Sequence, residues 1–445
     1  MKTSNETCTI SFTSEPVAGT QNFPGDIITL KWQIPESYNF QLYQAGSSEP
    51  LHVDWQKEKE RKISLGSSDV NFRLVGYDDN NNPVVEQTLS IKVLQPGWYD
   101  KKNTLIKCDS GHPDKTDSHY DLEPTLLVNA DNAKLYGLFR FKFKGREWIL
   151  LFETQNPFGD WIFVPTLFDK KEGYLPEGIA TSPGVYHDDK IWLIGGSQID
   201  PDQCSNGVWC LDCLDLTTEE KEWKDRTPTP TPELPHWKSR MGHAVLVFDN
   251  KIWLMGGLDE AGNPLNDIWT LDISKEENKW TQLAEADWEP RCLFSTAVFE
   301  GKIWIYGGAA APFSQILYND LWSATYDSES HKLGKWNKQK GPMPDSAAKA
   351  PIASCMQEFK GNLYLFVNFR TLGGETDTVD AMAFHLDTST SPTWKTIKSD
   401  DLKDWGGTTT SSCQLVAYGD RMLIARTLSY EAINTVMKIY VPPLK

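Results

Sequence analysis

Two short spacings in this sequence are suited to chemistry. Trp237-Lys-Ser-Arg240 and Trp288-Glu-Pro-Arg291 each put a guanidinium three residues after an indole. A guanidinium fork holds a carboxylate or phosphate bidentately and stays charged at any ordinary pH, while an indole beside it offers a stacking face. Five of the ten arginines, Arg140, Arg240, Arg291, Arg370 and Arg426, fall at one end of a repeat set out below, in a chain with net charge −17. Such a concentration of positive charge in an acidic protein predicts a site for an anionic small molecule, an acidic glycan or an acidic protein segment. Trp237, Trp288, Trp405 and Tyr318 are the expected aromatic walls. Glu123 is the one carboxylate at an equivalent position and His243 follows Arg240 by three, so these two are the candidate catalytic proton carriers if the site is an active site. The same residues admit a structural account: Arg bonding loop carbonyls, Trp packing as lids, His243 bonding within its sheet, and Glu123 as a counterion.

Other constellations carry less. Cys210-Leu-Asp-Cys213, with Cys204 upstream, has the look of a metal or redox pair, but it lies in an alternating strand, where positions three apart point to opposite faces. The sequence has no Gly-rich phosphate loop, no G-x-S-x-G elbow and no H-E-x-x-H. No cofactor and no metal are therefore expected. With 44 Lys plus Arg against 61 Asp plus Glu, the surface repels phosphate backbones and anionic lipid, so neither nucleic acid nor membrane is expected as a partner. The first twenty residues lack an apolar leader core, and a soluble cytoplasmic protein is expected, with secretion only if a leader was removed. The eight cysteines are sparse for 445 residues and read as mostly reduced thiols.

These residues need a frame, and the 18 Trp, 15 Tyr and 19 Phe point to internal repetition. DDKIWLIGG at 188–196, DNKIWLMGG at 249–257 and EGKIWIYGG at 300–308 are near copies, with looser ones at 132–140, 360–368 and 418–426. Their first strand residues, Lys134, Lys190, Lys251, Lys302, Asn362 and Arg421, are spaced 56, 61, 51, 60 and 59 apart. Each unit adds a strand before this run, a third led in the clearest cases by Asn206, Asn266 or Asn319, and a fourth opening with Trp161, Trp223, Trp280, Trp336 or Trp394. The sixth unit has no such Trp strand of its own, and GWYDKKNTLI at 97–106, with Trp98, is expected to supply it. A period of this length with β alternation predicts propeller blades.

From about residue 98 onward the sequence resembles the kelch-repeat propellers, on the glycine pairs Gly195–Gly196, Gly256–Gly257 and Gly307–Gly308, the strand residues Trp209, Trp269 and Trp322, and the Arg240-x-x-His243 start of an inner strand. The resemblance implies an all-β fold, a six-bladed kelch-type β-propeller over 97–445 with blades from about 124, 179, 240, 291, 351 and 410. Function is not implied, because propellers of this family serve as binding platforms and as enzymes. Tyr186–His187 is similar to the copper ligands of galactose oxidase but sits in the turn on the opposite face, and the iron pattern of the plant specifier proteins is absent. Residues 1–96 lack the repeat; their short strands and Trp32 predict an immunoglobulin-like or fibronectin-like β-sandwich. Recognition of an anionic partner at the mouth is the first expectation. The alternative is an enzyme similar to the bacterial N-acetylneuraminate epimerase group, acting on a carboxylated sugar or small molecule, or a cyclase-like or transferase-like step in a biosynthetic pathway.

Overall fold

Short alternating runs broken by glycine turns leave no 3.6-residue apolar stripe, and in the computed structural model every element among the described residues is a β-strand. The structure describes residues 10–15, 27–35, 38–55, 57–66, 68–93, 97–100, 125–129, 134–143, 146–154, 162–164, 166–168, 171–172, 183–197, 204–213, 221–229, 236–275, 279–311, 316–342, 349–371, 378–387, 393–397, 413–418, 421–427 and 435–441. Two compact units emerge: Met1–Tyr99 with Gly419–Arg421 and Tyr440–Lys445, and Asp100–Tyr418 with Met422–Ile439. Among the described residues no helix is long and apolar enough to cross a membrane.

The first unit is a small β-sandwich. Ser11–Glu15, Ile27–Gln33 and Glu60–Ser64 form one antiparallel sheet; Asn39–Gln44, Val70–Tyr77 and Pro83–Ile91 form another. Alternation turns Ile28, Leu30 and Trp32 of one sheet and Phe40, Leu42, Phe72 and Leu74 of the other into a single buried cluster. The Trp32 indole donates to the Glu58 carbonyl at 3.2 Å, so its polar atom is satisfied inside that core.

The second unit is a six-bladed propeller. Blade 1 runs through Thr125–Asn129, Lys134–Phe143, Arg146–Thr154 and Ile162–Val164, and blade 2 through Gly184–His187, Lys190–Ser197, Cys204–Asp212 and Lys221–Asp225. Blade 3 holds Ala244–Phe248, Lys251–Asp259, Pro264–Asp272 and Trp280–Gln282; blade 4 holds Ser295–Phe299, Lys302–Tyr306, Leu321–Asp327 and Asn337–Gln339. Blade 5 is Lys349–Phe359, Asn362–Thr371, Thr378–Asp387 and Thr393–Ile397. The sixth sheet takes Cys413–Tyr418, Arg421–Thr427 and Thr435–Val441, with Gly97–Asp100 as its outer strand. The first strands pack neighbour to neighbour, and blade 6 returns to blade 1, which closes the ring.

Second strands are sandwiched between two blades, so they are apolar on both faces. In Lys251–Asp259, Trp253 and Met255 join the core shared with blade 4, while Ile252 and Leu254 join the one shared with blade 2. The runs end in glycine pairs for two reasons. Gly256 and Gly257 have φ of 58° and 98°, a conformation that side chains resist. A Cβ on Gly257 would also lie 2.7 Å from the His243 Cβ and 2.8 Å from the Met241 carbonyl, so the strand passes where only glycine fits. Gly308 meets the Cys292 carbonyl at 2.7 Å in the same way. Gly301, in the turn before the next run, shares the positive φ of 68° but has open space around its Cβ position. Gly257→Ala should therefore cost about 3 kcal/mol or more in urea unfolding, through clash plus backbone strain, whereas Gly301→Ala should cost about 1 kcal/mol.

Candidate functional site

The face carrying the loops before each first strand and after each second strand holds the arginine and tryptophan spacings. Arg240 is fully buried. Its Nε donates to the Lys238 carbonyl at 3.1 Å, Nη1 to the Gly256 carbonyl at 2.8 Å, and Nη1 and Nη2 form a fork on Asp267 at 2.6 and 2.7 Å. Arg291 repeats the pattern one blade on: Nε to Glu289 O at 3.0 Å, Nη1 to Gly307 O at 2.9 Å, and a fork on Asp320 at 2.6 and 3.1 Å. The third-strand tryptophans complete each carboxylate, Trp269 Nε1 donating to Asp267 at 2.8 Å and Trp322 Nε1 to Asp320 at 2.7 Å. Burial alone raises the Asp267 and Asp320 carboxyls, but hydrogen bonds and charge from Arg240 and Arg291 outweigh it and hold both below the ordinary range. The backbones reach the other way. Arg240 pairs with Ser205 of blade 2, and Arg291 donates to Leu265 O at 3.0 Å while accepting from Gly257 N at 2.9 Å in blade 3. Each arginine thus fastens two adjacent blades.

This corrects the expectation for Arg240 and Arg291. Their donors are taken by the fold, and neither has surface left for an external anion. Trp237 and Trp288 are corrected with them, because each is 1% exposed. They pack edge to face on the outer-strand tryptophans, Trp237 on Trp280 at 5.7 Å and Trp288 on Trp336 at 6.0 Å between ring centres. His243 is buried too, its Nε2 3.0 Å from the Ile194 carbonyl, and His236 places Nε2 3.1 Å from the Asn206 carbonyl. Both bonds join blade 3 to blade 2. Burial, then the Arg240 charge, lowers His243 from 6.5 to about 3, so it stays neutral in a site closed to substrate and is no proton carrier at the mouth.

Tyr318 is half-buried, lies 4.2 Å over the Arg291 guanidinium and keeps a partly open face at the mouth. Arg140, Arg370 and Arg426 fall in the second strands of blades 1, 5 and 6, Arg140 opposite Ile149 and Arg370 opposite Val379. Glu123, Trp405 and Phe313 lie outside the described residues. Cys210 belongs to the core facing blade 3 and Cys213 to the core facing blade 1, both as free thiols that burial pushes up, to about 11 and about 12. Among the described residues no group of three or more His, Cys, Asp or Glu is arranged to hold a metal.

Sequence reasoning passed over Leu293. It occupies the place of Gly242 in the preceding blade, since Arg240-Met-Gly-His243 aligns with Arg291-Cys-Leu-Phe294. Both residues are left-handed, Gly242 at φ 61° and Leu293 at 55°, yet Leu293 is 52% exposed. That aligned difference was the available signal.

One family model matches, that of the KLHDC2/KLHL20/DRC7 Kelch-repeats domain, over residues 180–425, more than half of the chain. Among curated proteins, the chain is 36% identical over 90 residues to the leucine-zipper-like transcriptional regulator 1 homolog of Drosophila melanogaster, covering 20% of this chain and 8% of that protein. It is 27% identical over 153 residues to beta-scruin of Limulus polyphemus, covering 34% and 14% respectively. The chain therefore spans a small part of the length of the curated relatives it matches. Among solved structures it is similar to YjhT, at 12% identity and a TM-score of 0.48, covering 71% of this chain and 93% of that one.

Two outcomes follow for stability. Asp267→Asn should lose about 3–5 kcal/mol, because it strands a buried guanidinium. Blade 2 carries Ile179 and Gly207 at the two corresponding places, and the double change Arg240→Ile with Asp267→Gly should lose less than the two single changes added together. His243 acts through pH. Its folded pKa lies below its unfolded one, so its stabilisation is complete above about pH 6.5 and is lost as pH falls from there toward 3. Stability should drop by roughly 2 kcal/mol more in wild type than in His243→Phe between pH 6.5 and about pH 5, phenylalanine being what blade 4 holds there as Phe294.

Proposed function

This chain belongs to the kelch-repeat family, and from that premise we propose that its propeller is a recognition module whose loop face holds a partner, rather than a catalyst. Family membership fits a binding role. With Arg240 and Arg291 committed to the clamps of blades 3 and 4, the arginines left at this end of the repeat are Arg140, Arg370 and Arg426. These belong to three consecutive blades, 1, 5 and 6, which lack the glycine pair and put Arg at or near the end of the second strand instead. One observation carries the reading. The clamp arginines precede their first strands and meet an aspartate of the third, whereas Arg140 and Arg370 are second-strand residues whose backbones register with Ile149 and Val379. An anionic group on the partner is the complement this arc calls for: an acidic protein segment first, an acidic glycan or small carboxylate otherwise. The sandwich supports a reading as an immunoglobulin-like module, since strands one, two and four share one sheet and strands three, five and six the other.

A thermal-shift comparison tests the anionic reading. Wild type and the triple variant Arg140→Ala, Arg370→Ala, Arg426→Ala are melted with a polyglutamate peptide, sugar acids and citrate. A ligand that binds only the folded state raises the midpoint by mass action, so wild type should rise, the variant should not, and salt should diminish the rise. No rise with any of these compounds would leave a recognition module whose partner is not anionic.

A further inference from the structure

The propeller mouth has a second arc, apolar and acidic, over blades 3 and 4. Two isolated antiparallel bridges, Cys292 with Ala309 and Ala309 with Leu317, lay three chain segments side by side, so that Cys292 and Leu317 flank Ala309 roughly 10 Å apart. Cys292, Ala309 and Leu258 turn inward as a small core, with Met241 and Leu317 packed against it. The residues next along, Leu293 and Ile316, turn outward and are 52% and 61% exposed. The antiparallel register sets Leu293 beside Gly308 and Ile316 beside Ala310, one step to either side of Ala309, so the outward face between them carries no long side chain from the middle segment. Leu293 N donates to the Gly242 carbonyl at 2.7 Å, and a Cβ on Gly242 would lie 3.3 Å from the Leu293 side chain, so Leu293 rests on the glycine of the adjoining blade.

The Leu293 backbone joins the two blades through its N–H, but its side chain is left half in water. Its backbone is left-handed, as is the equivalent Gly242, and glycine takes that conformation without the clash a side chain brings. The chain keeps a strained backbone and an apolar side chain in water at a position where glycine would fold more easily. Strain combined with apolar exposure on a loop face is what a binding anchor requires. The surroundings set the sign of the partner's charge. Glu260 and Glu289 are exposed on these loops, the exposed Lys238 is engaged with Asp259 at 3.7 Å, and Asp267 and Asp320 are neutralised by the clamps.

We propose that Leu293 and Ile316 form an anchor site for a partner protein segment that carries a bulky apolar residue flanked by Lys or Arg. The proposal rests on the recognition reading above and assigns blades 3 and 4 a task separate from the arginine arc. A displayed library of random short peptides is panned on the full chain with counter-selection on Leu293→Gly/Ile316→Ser, and the enriched peptides are synthesised and titrated by fluorescence anisotropy. Expected are sequences pairing Leu, Ile, Met, Phe or Trp with Lys or Arg, a loss of affinity of about tenfold or more in Leu293→Gly, and a melting temperature for that variant equal to or above wild type. Enriched peptides that are acidic or lack an apolar residue would overturn it. So would unchanged affinity in Leu293→Gly, or a lower melting temperature, which would make Leu293 a structural residue. Peptides indifferent to Leu293→Gly but lost in Arg370→Ala/Arg426→Ala would sink this inference and leave the broader reading standing. Enrichment of no peptide at all would count against both.

Discussion

A guanidinium taken out of water must find its partners inside the protein, and that constraint organises the best-formed half of the propeller. Arg240 and Arg291 have no exposed surface, so their donors go to a carboxylate, the carbonyl of the glycine pair and a loop carbonyl. The carbonyl is available because the second strand bulges at that point, with the register shifting between Met255 and Gly257. The bulge in turn brings the strand so close to the next segment that a Cβ has no room. Clamp and glycine pair are therefore one device: the arginine needs the carbonyl that the glycines expose, and the glycines are held in left-handed backbone partly by the arginine that binds them.

The device explains how far the sequence could be read. Six repeats at 50–60 residue spacing, strand alternation and the glycine pairs made the all-β architecture legible, because each follows from local backbone chemistry. The arginines were legible as a set, with their role open between an anion site and the bonding of loop carbonyls, and the aspartate partner was not foreseen. Type and spacing announce a guanidinium beside an indole; they do not say whether the indole lies over it as wall or as core. A signal was nonetheless present. Asp267 and Asp320 stand one residue after Asn266 and Asn319, and blade 2, which has Gly207 there, has Ile179 in place of the arginine. Residues that are present together and absent together are more simply partners of each other than of a third molecule. His243 was legible as a residue that bonds within the fold, but its motif position did not name the partner, the Ile194 carbonyl of the neighbouring blade 49 residues earlier.

Blade 2 shows what happens when the clamp is dispensed with. It lacks both members of the ion pair, and the segment that enters blade 3 meets it through His236 and His243, each bonding a blade 2 carbonyl, and through the Trp237 indole packed above Gly195. Two neutral imidazoles stand where blade 4 has Asp287 and Phe294, so the joint between blades 2 and 3 is sensitive to acid in a way that the joint between blades 3 and 4 is not.

Locking arginines into blades 3 and 4 also has a consequence for recognition. A buried, neutralised guanidinium contributes little field at the mouth, so Arg240 and Arg291 leave the charge there to residues outside the clamps, among them the exposed Glu260, Glu289 and Lys238. The blades that depart most from the repeat are therefore the ones free to vary in charge, while the most regular ones can vary only in what they lay over the clamp. Leu293 and Tyr318 are such overlays, one resting on the glycine of the adjoining blade and the other on the Arg291 guanidinium. On the proposed reading, a fixed base beneath them lowers the ordering entropy a partner must overcome on contact.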